Sequence, residues 1–259
     1  MAQRLLELSG IGFAVGTKSI LSGIDLTLET GRIYALVGPN GSGKSSLLKI
    51  LARQNAPTAG RIAFDGRPLP EWDNRAFARN VAYMPQFTPP ADGMTVRELV
   101  ALGRFPWHGT LGRFTAEDGR MVEDAIARTD LARFADRIIS TMSGGERQRA
   151  WIAMMLAQNA RCILLDEPTS ALDPAHQASV LELVQSLAHE RGLTVVVVLH
   201  DINLAARFCD HIIALNSGSI TAEGSPESIL TTERLQEIFG IGMGVFTHPT
   251  LNQPVSYLL

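Results

Sequence analysis

The sequence is poor in several residue types whose patterns would identify a protein class. Its 259 residues include only two cysteines, Cys162 and Cys209, and their spacing matches no metal-binding motif. We therefore interpret both as reduced core residues of a cytosolic protein. The formal net charge is only −3 and no run of basic residues occurs, so we expect no nucleic-acid partner.

Long apolar runs are missing as well. The most apolar segment, Leu193 to Leu199, is far shorter than the roughly 20 residues that a transmembrane helix needs, and it is typical of a buried strand. Met1 to Arg4 lead straight into an alternating strand pattern, so we expect no secretory signal peptide. Any association with a membrane must therefore go through a partner protein.

The pattern of strands and helices predicts one α/β domain over residues 1–259. Residues 1–88 and 161–224 form its core, where alternating strands and helices indicate a mainly parallel sheet with helices on both faces. Residues 89–160 lack strand signals and are predicted to be an inserted helical subdomain. Residues 225–259 are a C-terminal extension with two short helical segments and a tail.

Individual elements follow from apolar periodicity, glycines and helix caps. The predicted strands are Leu5–Leu8, Gly12–Val15 and Ile24–Leu28 in an antiparallel N-terminal β-subdomain, then Ile33–Val37, Arg61–Phe64, Val81–Met84, Cys162–Leu165, Leu193–Leu199, His211–Leu215 and Gly218–Ala222. The predicted helices are Ser45–Arg53, Thr95–Leu102, Glu117–Arg128, Gly144–Gln158, Pro174–Arg191 and Asp201–Arg207. The segment Gly103–Phe114 is rich in glycine, aromatic and basic residues and is predicted to be an ordered loop.

A glycine-rich loop separates the strand Ile33–Val37 from the helix that follows it. The loop fits the pattern G-x-x-x-x-G-K-[ST] with Gly38, Pro39, Asn40, Gly41, Ser42, Gly43, Lys44 and Ser45. Its backbone N–H groups and the positive end of the helix can face phosphate oxygens. Lys44 is suited to neutralise the β- and γ-phosphates, and the Ser45 hydroxyl to bind Mg²⁺. The alternative is a plain strand-to-helix turn, but one of only three lysines in the chain occupies the required position.

Two carboxylates follow the apolar strand Cys162–Leu165. The carboxyl ends of parallel strands face the crevice where ligands bind, so Asp166 is placed to hold Mg²⁺ directly or through water. Glu167 can then polarise an attacking water molecule as a general base. Taken alone, the pair also fits an N-cap for the next helix. Together with the phosphate-binding loop, it indicates a nucleotide-hydrolysing site.

Residues 142–149 read M-S-G-G-E-R-Q-R and resemble the signature of the ABC family of ATPases, usually written L-S-G-G-Q. Other residues match the same family in the same order. Gln86 matches its Q-loop glutamine, and Asp173 ends an S-A-L-D segment that matches its D-loop. His200 matches its switch histidine, and Phe13 stands where these proteins carry an aromatic residue that stacks on adenine.

The resemblance implies the P-loop NTPase fold of ABC ATPases, with ATP and Mg²⁺ bound between two copies arranged head to tail. It implies nucleotide binding by Phe13, Gly38 to Ser45, Ser46, Asp173 and the signature residues Ser143, Gly144 and Gly145. It implies Mg²⁺ binding by Ser45, Gln86 and Asp166, and catalysis by Glu167, His200 and Gln86. Alternatives exist for single residues: Ser143 and Glu146 also fit a helix capping box, and Phe13 also fits the core.

One branch of the family resembles this chain most. Residues 95–100 (T-V-R-E-L-V) and 103–109 (G-R-F-P-W-H-G) look like those of ATPases of iron–siderophore and cobalamin importers, closest to the ferric hydroxamate (ferrichrome-type) ones. This implies a peripheral protein on the cytoplasmic face of the cell (inner) membrane. It also implies an integral membrane permease that docks around Thr95 to Phe114, and a periplasmic or surface siderophore-binding protein that acts only through the permease.

Other functions stay open at this level. Cobalamin and heme are close alternatives as cargo, because this subunit does not contact the cargo. A soluble ABC protein acting on ribosomes or DNA usually has two ATPase modules, coiled coils or basic insertions, which are missing here. A non-hydrolysing ATP-binding scaffold would lack Glu167 or His200, and both are present. The single short module and the segment Gly103–Gly109 favour import over export.

Overall fold

Every strand and helix named below lies in residues 3–109, 112–170 and 172–259, the part of the chain that the computed structural model describes. The strands are β1 (Arg4–Val15), β2 (Lys18–Glu29), β3 (Ile33–Val37), β4 (Ala59–Phe64), β5 (Arg67–Pro68), β6 (Val81–Met84), β7 (Cys162–Leu165), β8 (Thr194–Val198), β9 (His211–Asn216), β10 (Ser219–Gly224), β11 (Met243–Thr247) and β12 (Pro254–Leu258). The helices are α1 (Lys44–Leu51), α2 (Asn74–Ala78), α3 (Val96–Leu102), α4 (Phe105–His108), α5 (Ala116–Arg128), α6 (Gly144–Gln158), α7 (Pro174–Arg191), α8 (Ile202–Phe208), α9 (Pro226–Ile229) and α10 (Thr232–Phe239).

The central sheet has the strand order β10-β9-β3-β8-β7-β6. Its strands from β9 to β6 are parallel, and only β10 pairs in the antiparallel direction, with β9. The strands β3, β7 and β8 are buried along their whole length because both faces of the sheet are covered. This confirms the predicted mainly parallel core sheet.

A second sheet is antiparallel, with the order β2-β1-β4-β5, and confirms the predicted N-terminal β-subdomain. The predicted breaks within it were wrong, because Leu5–Leu8 and Gly12–Val15 belong to one continuous strand, β1. Its pairing with β2 shifts register between Leu8 and Ile11 and again between Ile11 and Phe13. Glycines in this stretch therefore mark β-bulges that bend the strand without ending it.

The two faces of β3 belong to different hydrophobic cores. Ile33, Ala35 and Val37 face a core shared with the helical subdomain and α7. Tyr34 and Leu36 face a core that also takes in α1 and the antiparallel sheet. Helix α1 thus lies between the two sheets, and its N-terminus is held at the end of β3 by packing on both sides.

The inserted segment is helical, as predicted, and three of its helices, α3, α5 and α6, begin at side-chain caps. Thr95, Thr115 and Ser143 each form a capping box, which fixes the starts of α3, α5 and α6. The prediction of a loop over Gly103–Phe114 was wrong in part, because α4 spans Phe105–His108 with Pro106 in its first turn. Thr110 and Leu111 of that segment lie outside the described residues.

The C-terminal extension contains more structure than the sequence predicted. The two predicted short helices are α9 and α10, but the tail also folds into the hairpin β11–β12. Within the part of the chain that the structure describes, no helix combines the length and apolar character needed to span a bilayer.

Candidate functional site

Four neighbouring strands of the central sheet end at one edge, and each is followed by residues of the predicted site. The loop after β3 carries the phosphate-binding pattern, β8 is followed by His200, β7 by Asp166 and Glu167, and β6 by Gln86. Residues more than 100 positions apart in sequence therefore share one crevice, as the rule for open α/β sheets requires.

The phosphate-binding loop is tightly held against its surroundings. Gly38 has φ +136°, and a Cβ there would lie 1.9 Å from the backbone oxygen of Leu215. Gly43 has φ +102°, and a Cβ there would lie 2.5 Å from Leu21 Cδ2. Only glycine fits these two positions. Of the other predicted residues, Pro39, Asn40, Gly41 and Ser42 complete the loop, while Ser46 lies half-buried on α1.

Lys44 is buried at the start of α1 and folds back over the loop. Its Nζ donates hydrogen bonds to the backbone oxygens of Gly38, at 2.8 Å, and Pro39, at 2.9 Å. Burial lowers the pKa of Lys44, while the nearby carboxylates of Glu167 and Asp166 act in the opposite direction. An anion bound at this ammonium group would replace neutral carbonyl partners with a full opposite charge.

Ser45 and Asp166 form the centre of the predicted Mg²⁺ site. Ser45 Oγ donates a hydrogen bond of 2.8 Å to Asp166 Oδ1. Burial raises the pKa of Asp166, and the Ser45 hydrogen bond and the lysines Lys49 and Lys44 counteract it only in part. A desolvated carboxylate next to a hydroxyl is the kind of oxygen donor set that Mg²⁺ prefers, so these residues fit that ion. The described residues contain no cluster of three or more His, Cys, Asp or Glu that could hold a metal alone.

Glu167 lies between the two other predicted catalytic residues. Its Oε2 accepts a hydrogen bond from Gln86 Nε2 at 2.6 Å, and its Oε1 lies 2.7 Å from His200 Nε2. The backbone of Glu167 is left-handed, with φ 51°, which is unusual for a residue other than glycine. The two side-chain contacts of Glu167 connect the loop after β7 to residues that follow β6 and β8.

The signature residues form a second group, beside the predicted D-loop. Ser143 caps α6, and a Cβ at Gly145 would lie 2.6 Å from His176 Cδ2. His176 Nδ1 lies 2.7 Å from Asp173 Oδ2, and Asp173 caps α7. Among the described residues, no hydrogen bond joins this group to the phosphate-binding loop. Ala171 of the predicted D-loop lies outside the described residues.

Phe13 lies near the phosphate-binding loop but is partly covered. It pairs across the sheet with Leu21, the residue whose side chain approaches Gly43. Its ring is half-buried and packs on the core between the two sheets. The Phe13 side chain is therefore only partly accessible to a ligand, and its packing also fits the alternative role of a core residue.

Sequence reasoning missed one polar group of the site. Tyr83 lies on β6, three residues before Gln86, and its hydroxyl lies beside Asp166. Burial, together with Asp166, raises the pKa of Tyr83 to about 12. In the described part of the chain, Tyr83 Oη and Ser42 Oγ are buried without a hydrogen-bond partner. Such orphaned groups at a site indicate a ligand, an ion or ordered water. The sequence feature that could have identified this group is a tyrosine on an otherwise apolar strand that precedes Gln86.

Comparison with known proteins adds the family context. The family model described as "ABC transporter" matches residues 21–170. The iron(3+)-hydroxamate import ATP-binding protein of Bacillus subtilis strain 168 is 39% identical over 250 residues, covering 96% of this chain and 93% of that protein. The hemin import ATP-binding protein of Pseudomonas entomophila strain L48 is 43% identical over 256 residues, covering 97% and 98%.

Solved structures share the fold over nearly the same extent. A metal-chelate type ABC transporter in an inward-facing conformation has a TM-score of 0.87 and 28% identity, covering 99% of this chain and 98% of that one. A dimeric bacterial ABC transporter cassette has a TM-score of 0.75 and 30% identity, covering 86% and 99%.

Proposed function

We propose that this chain, which belongs to the ABC transporter family of ATP-binding subunits, powers the import of iron–siderophore complexes. The proposed cargo is a ferric hydroxamate. Subunits of this kind hydrolyse ATP to drive transport. The observation that carries the proposal is that Glu167 contacts both Gln86 and His200 beside the phosphate-binding loop. The cargo rests on the hydroxamate relative and on the resemblance of residues 95–109.

In the proposed reaction, the loop from Gly38 to Ser46 cradles the phosphates, and Lys44 neutralises their charge. Ser45 and Asp166 would hold Mg²⁺ with Gln86, and the ion would offset the charge that develops on the phosphates. Phe13 would stack on the adenine ring. These roles are consistent with the burial of Lys44 and Asp166, because each charge is stabilised once an opposite charge occupies the crevice.

Glu167 acts as the general base in this proposal. Its carboxylate accepts a proton from the attacking water, while Gln86 and His200 fix the orientation of its two oxygens. His200 then contacts the γ-phosphate and stabilises the closed site. Glu167 is held between donors from two different strand ends, so a movement of either strand end would move the base.

The second nucleotide-binding group requires a second copy. Ser143, Gly144 and Gly145 lie at the N-terminus of α6, where backbone N–H groups favour an anion. They lie beside Asp173 and away from the phosphate-binding loop of their own chain. We propose that they close on ATP held by another copy, so that two copies sandwich two nucleotides head to tail. The solved dimeric cassette supports the pairing of two copies.

The integral permease would dock on the helical subdomain from the cytoplasmic side. Around residues 95–114, the side chains of Leu102, Phe105 and Phe114 are exposed. Phe87, which follows Gln86, is 83% exposed and borders a groove of about 440 Å³ that Ile139 and Trp151 also line. An apolar partner segment in this groove would touch the residue next to Gln86 and so couple permease movement to the catalytic base.

The test is uptake of radioactive iron as a hydroxamate siderophore complex. Cells lacking the gene would be complemented with the wild type, with Glu167→Gln, or with Glu182→Gln, an exposed glutamate on α7 that serves as the matched control. We expect uptake with the wild type and Glu182→Gln, and none with Glu167→Gln. Uptake that persists in the deletion strain would remove the hydroxamate cargo from the proposal.

A second cargo is favoured by one observation, the 43% identity to a hemin import ATP-binding protein. The same strains would therefore be grown with hemin as the only iron source. Growth that depends on Glu167, combined with hydroxamate uptake that does not depend on the gene, would assign hemin. Loss of neither function would leave cobalamin as the next cargo to test with labelled vitamin.

A further inference from the structure

The surface of the C-terminal extension carries no charged side chain over a long stretch. Residues 240–259 contain no Asp, Glu, Lys or Arg. Large apolar side chains are nevertheless exposed there, at Ile241, Phe246, Leu251, Tyr257 and Leu258. Depletion of charge together with exposed aromatic and aliphatic side chains is typical of the centre of a protein–protein interface rather than of a solvated face.

The hairpin that presents these side chains is fixed to α8, the helix that follows His200. Asn203 Oδ1 accepts hydrogen bonds from Ser256 N at 2.8 Å and from Ser256 Oγ at 3.0 Å. Asn203 Nδ2 donates to the Ser256 backbone oxygen at 3.1 Å. Three hydrogen bonds between the same two residues hold β12 at a set position relative to the catalytic edge of the sheet.

A groove of about 460 Å³ connects the hairpin with the catalytic edge. His200 and Asp201 line it together with Ile241, Tyr257 and Leu258. Asp201 is the one acidic residue among the described lining residues, and its carboxylate accepts hydrogen bonds from the first backbone N–H groups of α8. The groove therefore offers an apolar surface whose single carboxylate already has partners.

We infer that the wall of this groove that includes Ile241, Tyr257 and Leu258 packs against a second copy of the chain and extends the nucleotide-sandwich dimer beyond its two ATP sites. The inference rests on the proposed dimer, in which the edge that carries His200 faces the second copy. The groove wall that includes His200 and Leu258 then contacts that copy too, and a twofold axis places the same surface on both copies. Contacts of this kind do not involve nucleotide, so they hold the two copies together when the ATP sites open.

The test measures the dissociation constant of the dimer by sedimentation equilibrium, using the full chain with Mg·ATP. Glu167→Gln serves as the background, because it blocks turnover and holds the sandwich closed. Leu258→Asp is compared with Leu251→Asp, which puts the same charge at a side chain 50% exposed on the same hairpin but outside the groove. We expect Leu258→Asp to weaken the dimer at least tenfold and Leu251→Asp to change it less than twofold.

Each outcome separates the inference from the proposed function. If Glu167→Gln dimerises with ATP and Leu258→Asp leaves its dissociation constant unchanged, the hairpin interface is wrong and the sandwich stands. If Glu167→Gln stays monomeric with ATP, the proposed sandwich itself is wrong. Circular dichroism checks that both aspartate variants fold, which we expect because both side chains are exposed.

A second measurement does not depend on a destabilising charge. A photo-crosslinking p-benzoylphenylalanine replaces Tyr257, whose side chain is 47% exposed. Irradiation of the purified chain should give a product of twice the chain mass, with the crosslinked peptide in the second copy. In membranes, a crosslink to another polypeptide in place of the second copy would assign the surface to that partner and overturn the inference.

Discussion

His200 Nε2 lies 2.7 Å from Glu167 Oε1, although the two residues end neighbouring strands and are separated by 33 positions in sequence (200 − 167). The Glu167 side chain is only 10% exposed, whereas that of His200 is 46% exposed. The carboxylate is thus set inside the crevice and the imidazole at its mouth. A nucleotide or a second copy that moves the imidazole would release one oxygen of the carboxylate for contact with water.

The first prediction concerns the role of Glu167 as base. Glu167→Gln keeps the size of the side chain and one of its two acceptor oxygens but removes its charge and its capacity to accept a proton. We expect ATP binding to persist and the turnover number to fall by about 10²- to 10⁴-fold. Single-turnover hydrolysis and nucleotide binding would be measured side by side, with Glu182→Gln as the exposed control. Turnover within threefold of the wild type would rule out Glu167 as the base.

Lys44 provides a second prediction, with an internal control on the same helix. Lys44 is buried over the phosphate-binding loop, while Lys49 is exposed in the last turn of α1. Lys44→Ala should weaken ATP binding by at least tenfold, because a charge-assisted contact to phosphate is lost. Lys49→Ala should change affinity less than threefold. Equal effects in fluorescence titrations with a labelled nucleotide would contradict the assignment of the loop.

The bounds of strands and helices were predicted best where the sequence marks both ends of the element, by a helix cap, a proline or the limit of an apolar run. The bounds of Val81–Met84, Gly144–Gln158, Cys162–Leu165 and Pro174–Arg191 match the structure. Buried strands read as short apolar runs, and the two helices begin at a capping serine and an aspartate followed by proline. By contrast, the hairpin β11–β12 gave no clear alternation, because Gly244 and Pro254 interrupt it and long-range contacts to α8 hold it in place.

The sequence predicted which residues belong to the candidate site, but not which of them contact one another. The pattern of the phosphate-binding loop and the strand ends located Lys44, Asp166 and Glu167 from physical reasoning, whereas Gln86 and His200 came from the family resemblance. The pairing of Glu167 with both depends on the order of β6, β7 and β8 in the sheet. That order is set by packing between distant segments, so local sequence carries no signal for it.

Tyr83 carries a third prediction, because its buried hydroxyl has no hydrogen-bond partner in the described part of the chain. Tyr83→Phe should leave the melting temperature of the nucleotide-free protein unchanged or slightly raised, since an unsatisfied polar group is removed. With ATP, we expect the Mg²⁺ concentration needed for half-maximal thermal stabilisation to rise about tenfold, as for a group supporting a metal ligand.

The control for Tyr83 is Tyr34→Phe. The Tyr34 hydroxyl accepts a hydrogen bond from Glu29 N at 2.7 Å, so its removal should destabilise the nucleotide-free protein by about 1 kcal/mol and leave the Mg²⁺ dependence unchanged. If Tyr83→Phe has the normal Mg²⁺ dependence, its hydroxyl does not support the site.

Asp118 and Arg104 form a buried ion pair inside the helical subdomain, and their side chains are only 6% and 5% exposed. Arg104 Nε donates to Asp118 Oδ1 at 2.8 Å, and Thr115 donates to the other oxygen. Asp118→Asn leaves the guanidinium group without its counter-charge and should lower the free energy of unfolding by about 3–5 kcal/mol in urea titrations. Glu117→Gln, at an exposed position on the same helix, should cost at most about 1 kcal/mol.

The wild type and Asp118→Asn should differ in free energy of unfolding by an amount that depends on pH, because of the pKa of Asp118. Burial raises that pKa, but the hydrogen bonds from Thr115 and Arg104 outweigh burial and lower it to about 2, below its ordinary value of 3.8. The unfolded chain therefore takes up the proton first as the solution is acidified, and stability from this carboxylate, complete above pH 3.8, is lost as pH falls toward 2. The difference in free energy of unfolding between wild type and Asp118→Asn should accordingly stay constant from pH 7 to about pH 5 and shrink below pH 3.8. A gap that is equal at pH 7 and pH 3 would show that Asp118 acts through packing and not through its charge.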